Sequence, residues 1–172
     1  MNKDRKDTLW ELTFATFYDS YFEELLADKL IKIWQALDVI TKILVASTAS
    51  ISAVTGWVLW NNEIFKIPWL CISGIAAFLS IIHTALAVSS RLKDWTNTKL
   101  FFSSLRIDIE TLRGQMEINP DFSIEDANNK FLDLRKRYKE GVQNVKNDIL
   151  RLRFVELKIQ DDLDNRIRDQ IL

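Results

Sequence analysis

The chain has 172 residues, a formal net charge of −1 and a single cysteine, Cys71. This charge balance excludes a global field that attracts nucleic acid, and one cysteine excludes an intrachain disulfide. Four glycines and two prolines are too few for a sheet-and-turn domain and favour long helices. The mean hydropathy of −0.05 is that of a soluble protein, but this average conceals two very apolar segments between polar flanks.

Residues 1–42 are predicted to form an N-terminal amphipathic helix. Its apolar side chains recur at steps of three and four, and no glycine or proline interrupts the pattern before the following apolar segment. The stripe consists of Phe22, Leu26, Leu30, Ile33, Leu37, Ile40 and Leu44. We therefore expect one helix to run from this region into the apolar segment.

Between Lys42 and Arg91 the only charged residues are Glu63 and Lys66. About 20 apolar residues, at a rise of 1.5 Å each, cross a hydrocarbon core of roughly 30 Å. Two such runs joined by so short a turn are typical of a transmembrane hairpin rather than of two buried core helices. The predicted segments are transmembrane helix 1 at 43–60, an outer hairpin loop at 61–66 and transmembrane helix 2 at 67–90.

The basic residues near the two spans predict the orientation. Lysines and arginines border the spans on the sides that carry the termini, whereas the loop contains only Lys66. Under the positive-inside rule both termini are cytoplasmic. The bordering residues are Lys29, Lys32 and Lys42 before the first span, and Arg91, Lys93, Lys99 and Arg106 after the second.

Residues 91–172 are predicted to form a cytoplasmic helical hairpin or coiled-coil region. The helix of the second span is expected to continue into it, to end at Asn119, and to be followed by a helix that Ser123 caps. Because an unbroken helix would be too long, either a further break near 141–147 or a tail that turns along the bilayer is expected. The first helix carries a seven-residue apolar repeat of Leu92, Trp95, Phe102, Leu105, Ile109, Leu112 and Met116. The helix after Ser123 is predicted to carry one apolar face. Its members are Tyr138, Val142, Val145, Ile149, Leu152, Val155, Ile159, Leu163, Ile167 and Ile171.

Polar side chains line one face of each predicted span. Hydroxyl and imidazole groups in hydrocarbon need partners or water, and two helices offer little shelter, so we expect a homo-oligomer. A ring of subunits would turn these groups toward a hydrated pore; the alternative is that they bond to their own helix carbonyls. The candidate pore-lining residues are Thr41, Thr48, Ser52, Thr55, Ser80 and His83. The fold class is thus an all-α membrane protein, a homo-oligomer with a two-span hairpin continuous with long cytoplasmic helices.

Catalytic and metal-binding patterns are not found in the sequence. We find no glycine-rich phosphate loop, no zinc-ligand cluster and no nucleophile–base pair. His83 is the single histidine, so a metal site would need copies from several subunits. A hydrogen bond from His83 to a neighbouring helix is the expectation, with a pH-sensing role as the alternative. We therefore predict that the protein is not an enzyme and has no cofactor or metal.

The densest basic run is one candidate ligand-binding site. Arginine forks bind phosphate oxygens and a tyrosine can stack on a base, so this run favours a phosphate-rich ligand. Four or more symmetry copies, a tetramer or similar ring, would surround such a ligand. The alternative is a solvated face paired with Asp133 and Glu140. The candidate residues are Arg135, Lys136, Arg137, Tyr138 and Lys139.

The N-terminal helix is the second candidate, because aromatic and basic residues interleave there. Such a pattern can bind single-stranded nucleic acid by stacking, and the alternative is packing against the C-terminal helix. The residues are Lys3, Arg5, Lys6, Trp10, Phe14, Phe17, Tyr18, Tyr21 and Phe22.

The layout from Lys42 to Arg91, with its long cytosolic helices, resembles the SLATT family. These are two-span effectors of bacterial conflict systems, found beside nucleotidyltransferases or nucleotide-sensing domains. The resemblance covers most of the chain and lies in architecture and length. It implies a pore-forming effector in the bacterial inner membrane that collapses the membrane barrier during antiphage abortive defence.

The resemblance also implies a nucleotide or oligonucleotide signal from a partner nucleotidyltransferase, which opens the pore or, for short single-stranded DNA, holds it shut. We therefore expect a homo-oligomeric, signal-gated ion channel. The alternatives are a non-conducting, membrane-anchored scaffold that recruits a cytosolic partner, and a lipid- or stress-sensing accessory subunit.

Overall fold

The computed structural model describes residues 2–54, 63–119, 122–145 and 148–171. Within these ranges the chain is almost entirely helical and has no strand, which confirms the all-α class. The described helices are α1 (Asn2–Val54), α2 (Glu63–Ala85), α3 (Val88–Ile118), α4 (Ile124–Asn144) and α5 (Arg153–Ile171).

Helix α1 is a single helix of 53 residues, about 80 Å long at 1.5 Å per residue. The predicted continuation of the N-terminal helix into the first apolar segment is therefore confirmed as far as Val54. The chain has no glycine before Gly56 and no proline before Pro68, so nothing in α1 interrupts its hydrogen-bond ladder. The predicted end of the first span, residues 55–60, and the first two residues of the loop lie outside the described residues. Helix α2 already begins at Glu63, inside the loop predicted at 61–66.

Helix α2 does not continue unbroken into α3, and the prediction of a continuous helix was wrong here. Helix α2 ends at Ala85 and α3 begins at Val88. Between them Ala87 has φ 48°, in the left-handed region that favours glycine. The N–H of Ala87 donates to the carbonyl of Thr84 at 3.1 Å, which closes the end of α2. The predicted span 67–90 is thus divided between two helices.

The breaks farther along the chain agree with the sequence. Helix α3 ends at Ile118, immediately before Asn119. Ser123 caps α4, and its hydroxyl accepts a hydrogen bond from the N–H of Asp126. Helix α4 ends at Asn144, inside the region where a break was expected.

The chain forms two compact units, one of residues 1–30 and 95–172 and the other of residues 31–94. In the first unit the beginning of α1 packs against α3 and α4. Most members of the seven-residue repeat of α3 are fully buried there, so the repeat packs against helices of its own chain. The core comprises Leu9, Phe17, Phe102, Leu105, Ile109, Leu112, Met116, Ala127, Phe131 and Leu134.

The apolar face predicted across α4 and α5 is divided by the break between them. In α5 its members Val155, Ile159 and Leu163 are buried. Near the break, Val142, Ile149 and Leu152 are exposed instead. The sequence pattern predicted a single face on the basis of one uninterrupted helix. The non-helical residues before Arg153 change the direction in which the following side chains project, so the face is not continuous.

In the second unit most large apolar side chains of α2 are exposed. Ile67, Phe78 and Ile81 are 69%, 63% and 69% exposed, and the fully buried residues of this unit include Trp34 and Ala76. Among the described residues one helical segment, Lys66–Ala85, is long and apolar enough to cross a membrane.

Candidate functional sites

The side chains of the basic run of α4, residues 135–139, do not all project from the same face of the helix. Arg137 Nη1 donates to Asp108 Oδ2 of α3 at 2.8 Å, so this guanidinium is directed to the neighbouring helix. The structure therefore separates Arg137 from the other four candidate residues. Those four line a common surface groove of about 540 Å³, whose other lining residues are Leu132, Val142 and Gln143.

Three cations project along this basic groove, defined by Leu132, Arg135, Lys136, Tyr138, Lys139, Val142 and Gln143. Arg135, Lys136 and Lys139 are exposed. The exposed side chains of Leu132 and Val142 line the same groove and supply its apolar floor. Cations around an apolar floor suit a ligand that has both phosphate groups and a flat apolar surface, as a nucleotide has.

Tyr138 faces both the groove and the core. Its ring lies 6.1 Å from the ring of Phe102 in an edge-on arrangement. Burial raises the pKa of Tyr138 to about 12, and the negative charges of Asp19 and Glu23 add to this effect, whereas Arg151 opposes it. The hydroxyl is therefore protonated at neutral pH. Only part of the ring remains accessible for stacking on a ligand.

A buried ion pair lies beneath this region. Arg151 Nη2 and Nη1 donate to Glu23 Oε1 at 2.9 Å and Oε2 at 3.3 Å, and Glu23 is 7% exposed. Arg151 Nε also donates to Glu156 at 2.8 Å. Burial opposes the charge of Arg151, but the hydrogen bonds and charges of Glu156 and Glu23 outweigh it and raise the arginine pKa. The sequence interpretation missed this pair, because 128 positions separate Glu23 from Arg151.

Three buried hydroxyl groups of α1 in the first unit bond within their own helix. The hydroxyls of Thr13, Thr16 and Ser20 donate to the carbonyls of Trp10, Leu12 and Thr16 at 2.8, 3.0 and 2.7 Å. These buried hydroxyls are satisfied locally, so they offer no open site to a ligand.

The N-terminal aromatic residues pack inside the first unit. The guanidinium of Arg113 lies over the rings of Trp10, Phe14 and Phe17, at 4.3, 5.0 and 5.7 Å from their centroids. Its Nε is buried without a hydrogen-bond partner among the described residues, so these rings are its main surroundings. This arginine therefore occupies one face of each of the three rings.

Two tyrosines of the same segment contact α5. The hydroxyl of Tyr18 hydrogen-bonds to Asp164 and Gln160, and that of Tyr21 accepts from Arg166 Nη1 at 3.3 Å. This is the arrangement of the alternative interpretation, packing against the C-terminal helix.

A larger cleft of about 700 Å³ lies at the beginning of α1 and α4. Its walls combine apolar, amide and oppositely charged side chains, so it presents no dominant charge. The lining residues are Arg5, Thr8, Leu9, Leu12, Ile124, Glu125, Asn128 and Asn129.

The candidate pore residues are described only in part. Thr41 is 8% exposed, and its hydroxyl donates to the carbonyl of Leu37 at 2.8 Å. Ser80 is half-buried in α2. The side chains of Thr48 and Ser52, and the whole of Thr55, lie outside the described residues.

His83 is paired inside the second unit. Its Nε2 lies 2.9 Å from Asp38 Oδ1, and Asp38 Oδ2 accepts from Lys42 Nζ at 2.6 Å. The predicted hydrogen bond of His83 to a neighbouring helix is therefore confirmed, with Asp38 of α1 as the partner that sequence interpretation missed. The hydrogen bonds from Lys42 and His83 lower the pKa of Asp38. Within the described residues no group of three or more His, Cys, Asp or Glu is arranged to hold a metal ion.

No family model matches the chain, and no curated protein and no solved structure matches it.

Proposed function

We propose that the chain is a homo-oligomeric membrane effector that forms an ion-conducting pore, with spans at 43–60 and 67–90. The observation that supports this proposal is the exposed apolar surface of α2. Ile67, Phe78 and Ile81 are each more than 60% exposed. Burying one such side chain gains roughly 1.5–3 kcal/mol, so a water-exposed helix of this kind is unfavourable. Lipid around α2, with other copies of the chain beside it, removes that cost.

The polar groups of the second unit support an assembly of several chains. The half-buried Ser80 lies within the most apolar part of the molecule, where a hydroxyl needs sheltered surroundings. A tetramer or similar ring would provide them and would surround a central path. Both termini would be cytoplasmic, in the inner membrane of a bacterium, as the distribution of lysines and arginines indicates.

We assign control of the pore to a nucleotide or a short single-stranded DNA bound at the basic groove. The exposed cations Arg135, Lys136 and Lys139 support this assignment. The resemblance to the SLATT family supplies the biological setting, antiphage abortive defence with a signal from a partner nucleotidyltransferase. Binding of a polyanion by these side chains would weaken with salt.

Ion flux tests the proposal directly. The full chain is reconstituted in liposomes that contain an ion-sensitive dye, and mononucleotides or single-stranded oligonucleotides are added outside and inside. We expect flux that one class of ligand switches on or off. A voltage-sensitive dye in cells that express the chain should report depolarisation on infection. If no ligand condition gives ion flux in liposomes and infection gives no depolarisation in cells, the proposal of a pore is refuted.

A non-conducting membrane-anchored scaffold is the second candidate. It is favoured by the fact that Thr41 bonds to its own helix and His83 to Asp38, so neither group needs a hydrated path. A scaffold gives no liposome flux, whatever ligand is present, and still occurs in the membrane fraction.

A further inference from the structure

Four large apolar side chains are exposed where α4 gives way to α5. They lie within nine consecutive residues of the chain, Ile149 to Leu157. These residues, named here the α4–α5 patch, are Ile149, Leu152, Phe154 and Leu157, with exposed fractions of 57%, 44%, 67% and 58%.

Near the α4–α5 patch, the basic side chains are exposed to solvent, whereas the carboxylates already accept hydrogen bonds within the chain. Arg153 and Lys158 are both exposed beside it. The two carboxylates of the same segment are engaged: Asp148 accepts from Trp95 Nε1 at 2.6 Å and from the N–H of Leu150 at 2.8 Å. Glu156 accepts from Arg151 Nε at 2.8 Å. The surface therefore offers apolar and cationic groups, while its negative groups are directed to partners of the same chain.

The hydrogen bond from Trp95 to Asp148 holds the beginning of the α4–α5 patch against α3. Trp95 is the first residue of α3 that belongs to the first unit. Trp95 follows Ala85, the last residue of the apolar segment Lys66–Ala85, by ten positions. Ten residues of chain span at most about 35 Å. Trp95, the residue that holds the patch, is therefore near in sequence to the segment that we propose to lie in lipid.

We propose that the α4–α5 patch is a membrane-binding surface, on which Phe154 and Leu157 enter the headgroup region of an anionic bilayer. This inference rests on the proposed insertion of α2 and goes beyond pore formation. Exposed apolar side chains bordered by lysine and arginine are the combination that interfacial segments use. The cations add attraction to anionic lipid, which falls with ionic strength. Asp161 begins the acidic part of the exposed face of α5, so the contact is limited to the first two turns.

Environment-sensitive labels on the full chain test this proposal. In a Cys71→Ser background, Phe154→Cys is labelled with a polarity-sensitive fluorophore and the protein is reconstituted in lipid nanodiscs. Headgroup-level spin-labelled lipids are the quencher. We expect quenching about twofold stronger in anionic than in zwitterionic nanodiscs, with the difference abolished at high salt.

The matched control is Ile118→Cys, an exposed apolar position at the far end of α3 that is 83% exposed. Glu117 borders it and no lysine or arginine lies within four residues, so quenching there should show no preference for anionic lipid. A second variant, Arg153→Glu with Lys158→Glu, should remove the preference for anionic lipid while leaving the fold intact.

The native Cys71 distinguishes two kinds of failure, because it is exposed on α2. If a label at Cys71 is quenched by deep spin-labelled lipid while the label at 154 stays water-exposed, the membrane-binding surface is refuted and insertion of α2 stands. If neither label is quenched, insertion of α2 fails as well. If the label at 154 is shielded equally in all lipids and transfers energy to its copies, the patch binds a second copy of the chain, which also refutes the lipid contact.

Discussion

Arg151 and Glu23 form a two-pronged ion pair, with N–O distances of 2.9 and 3.3 Å, that joins the segment between α4 and α5 to α1. Glu23 is 7% exposed, so its carboxylate depends on this arginine rather than on water. The hydroxyl of Tyr138 and the carboxylate of Glu156 lie in the same electrostatic surroundings.

Removing the arginine should destabilise the first unit. Arg151→Ala leaves the buried carboxylate of Glu23 without its partner; removal of one member of a fully buried pair costs about 3–5 kcal/mol, and the 29% exposure of the Arg151 side chain makes this an upper bound. Thermal unfolding of the full chain in detergent measures this destabilisation. The control is Arg137→Ala, because the Arg137–Asp108 pair is well exposed and such pairs contribute at most about 1 kcal/mol. Equal effects of the two substitutions would contradict the assignment.

The three cations of the basic groove should contribute more to oligonucleotide affinity than Arg137, which lies beside them in sequence. Replacing Arg135, Lys136 and Lys139 together by glutamine should weaken binding of a short single-stranded oligonucleotide. The logarithmic salt slope should become shallower by about 0.7 for each phosphate that the variant no longer neutralises. Fluorescence anisotropy over a range of salt concentrations measures both quantities.

Arg137→Gln is the matched control for the groove. Its guanidinium already donates to Asp108 at 2.8 Å, so the salt slope should change little. An equal decrease of affinity in Arg137→Gln would mean that the ligand binds elsewhere on α4.

Tyr138 predicts a decrease of stability at alkaline pH. Burial, together with Asp19 and Glu23, raises its pKa to about 12 from the ordinary 10.0. The folded state holds the phenolic proton more tightly than the unfolded state, so the contribution is complete below pH 10 and disappears as the pH rises through about 12. Tyr138→Phe should therefore show a smaller decrease of stability over this window than the parent chain. Unfolding in denaturant at successive pH values, with tyrosinate absorbance followed in parallel, checks this; identical curves would contradict it.

The junction between α2 and α3 predicts opposite effects of two small substitutions. Ala87 has φ 48°, a conformation that costs an L residue roughly 1–2 kcal/mol and costs glycine nothing. Ala87→Gly should raise the unfolding temperature and Ala87→Val should lower it, because β-branching makes this conformation worse. A stabilising valine would show that the two helices are continuous at this position.

The sequence predicted the helical class, the continuation of α1 into the apolar segment as far as Val54, the cap at Ser123 and the helix end before Asn119, because each depends on local residue chemistry. It did not predict the break at Ala87, where no glycine or proline marks the turn and the residues remain apolar. It also grouped Arg137 with the other four candidate ligand-binding residues. Only the packing of α3 against α4 reveals that the Arg137 guanidinium donates to Asp108. Glu23 and Asp38 were missed for the same reason. Their partners are far away in sequence, and pairings of that kind are decided by tertiary packing.

Gly141 and Gly114 form the sharpest matched pair, because both are helical glycines with different surroundings. A Cβ at Gly141 would lie 2.3 Å from Cε1 of Phe101, whereas a Cβ at Gly114 would meet nothing within 4 Å. Alanine favours a helix over glycine by about 0.8–1 kcal/mol, so Gly114→Ala should stabilise the chain by roughly that amount.

In Gly141→Ala the same helical gain is opposed by displacement of the Phe101 ring. That ring packs edge-on against Phe102, at a centroid distance of 5.3 Å, and Phe102 is fully buried. Overpacking of this kind costs about 1–3 kcal/mol, so the net effect should be destabilising. Gly141→Ala combined with Phe101→Leu should restore part of the stability, since leucine leaves space where the ring edge stood. Thermal unfolding of the three variants measures the outcome, and stabilisation by Gly141→Ala alone would mean that α4 and α3 are not packed this closely.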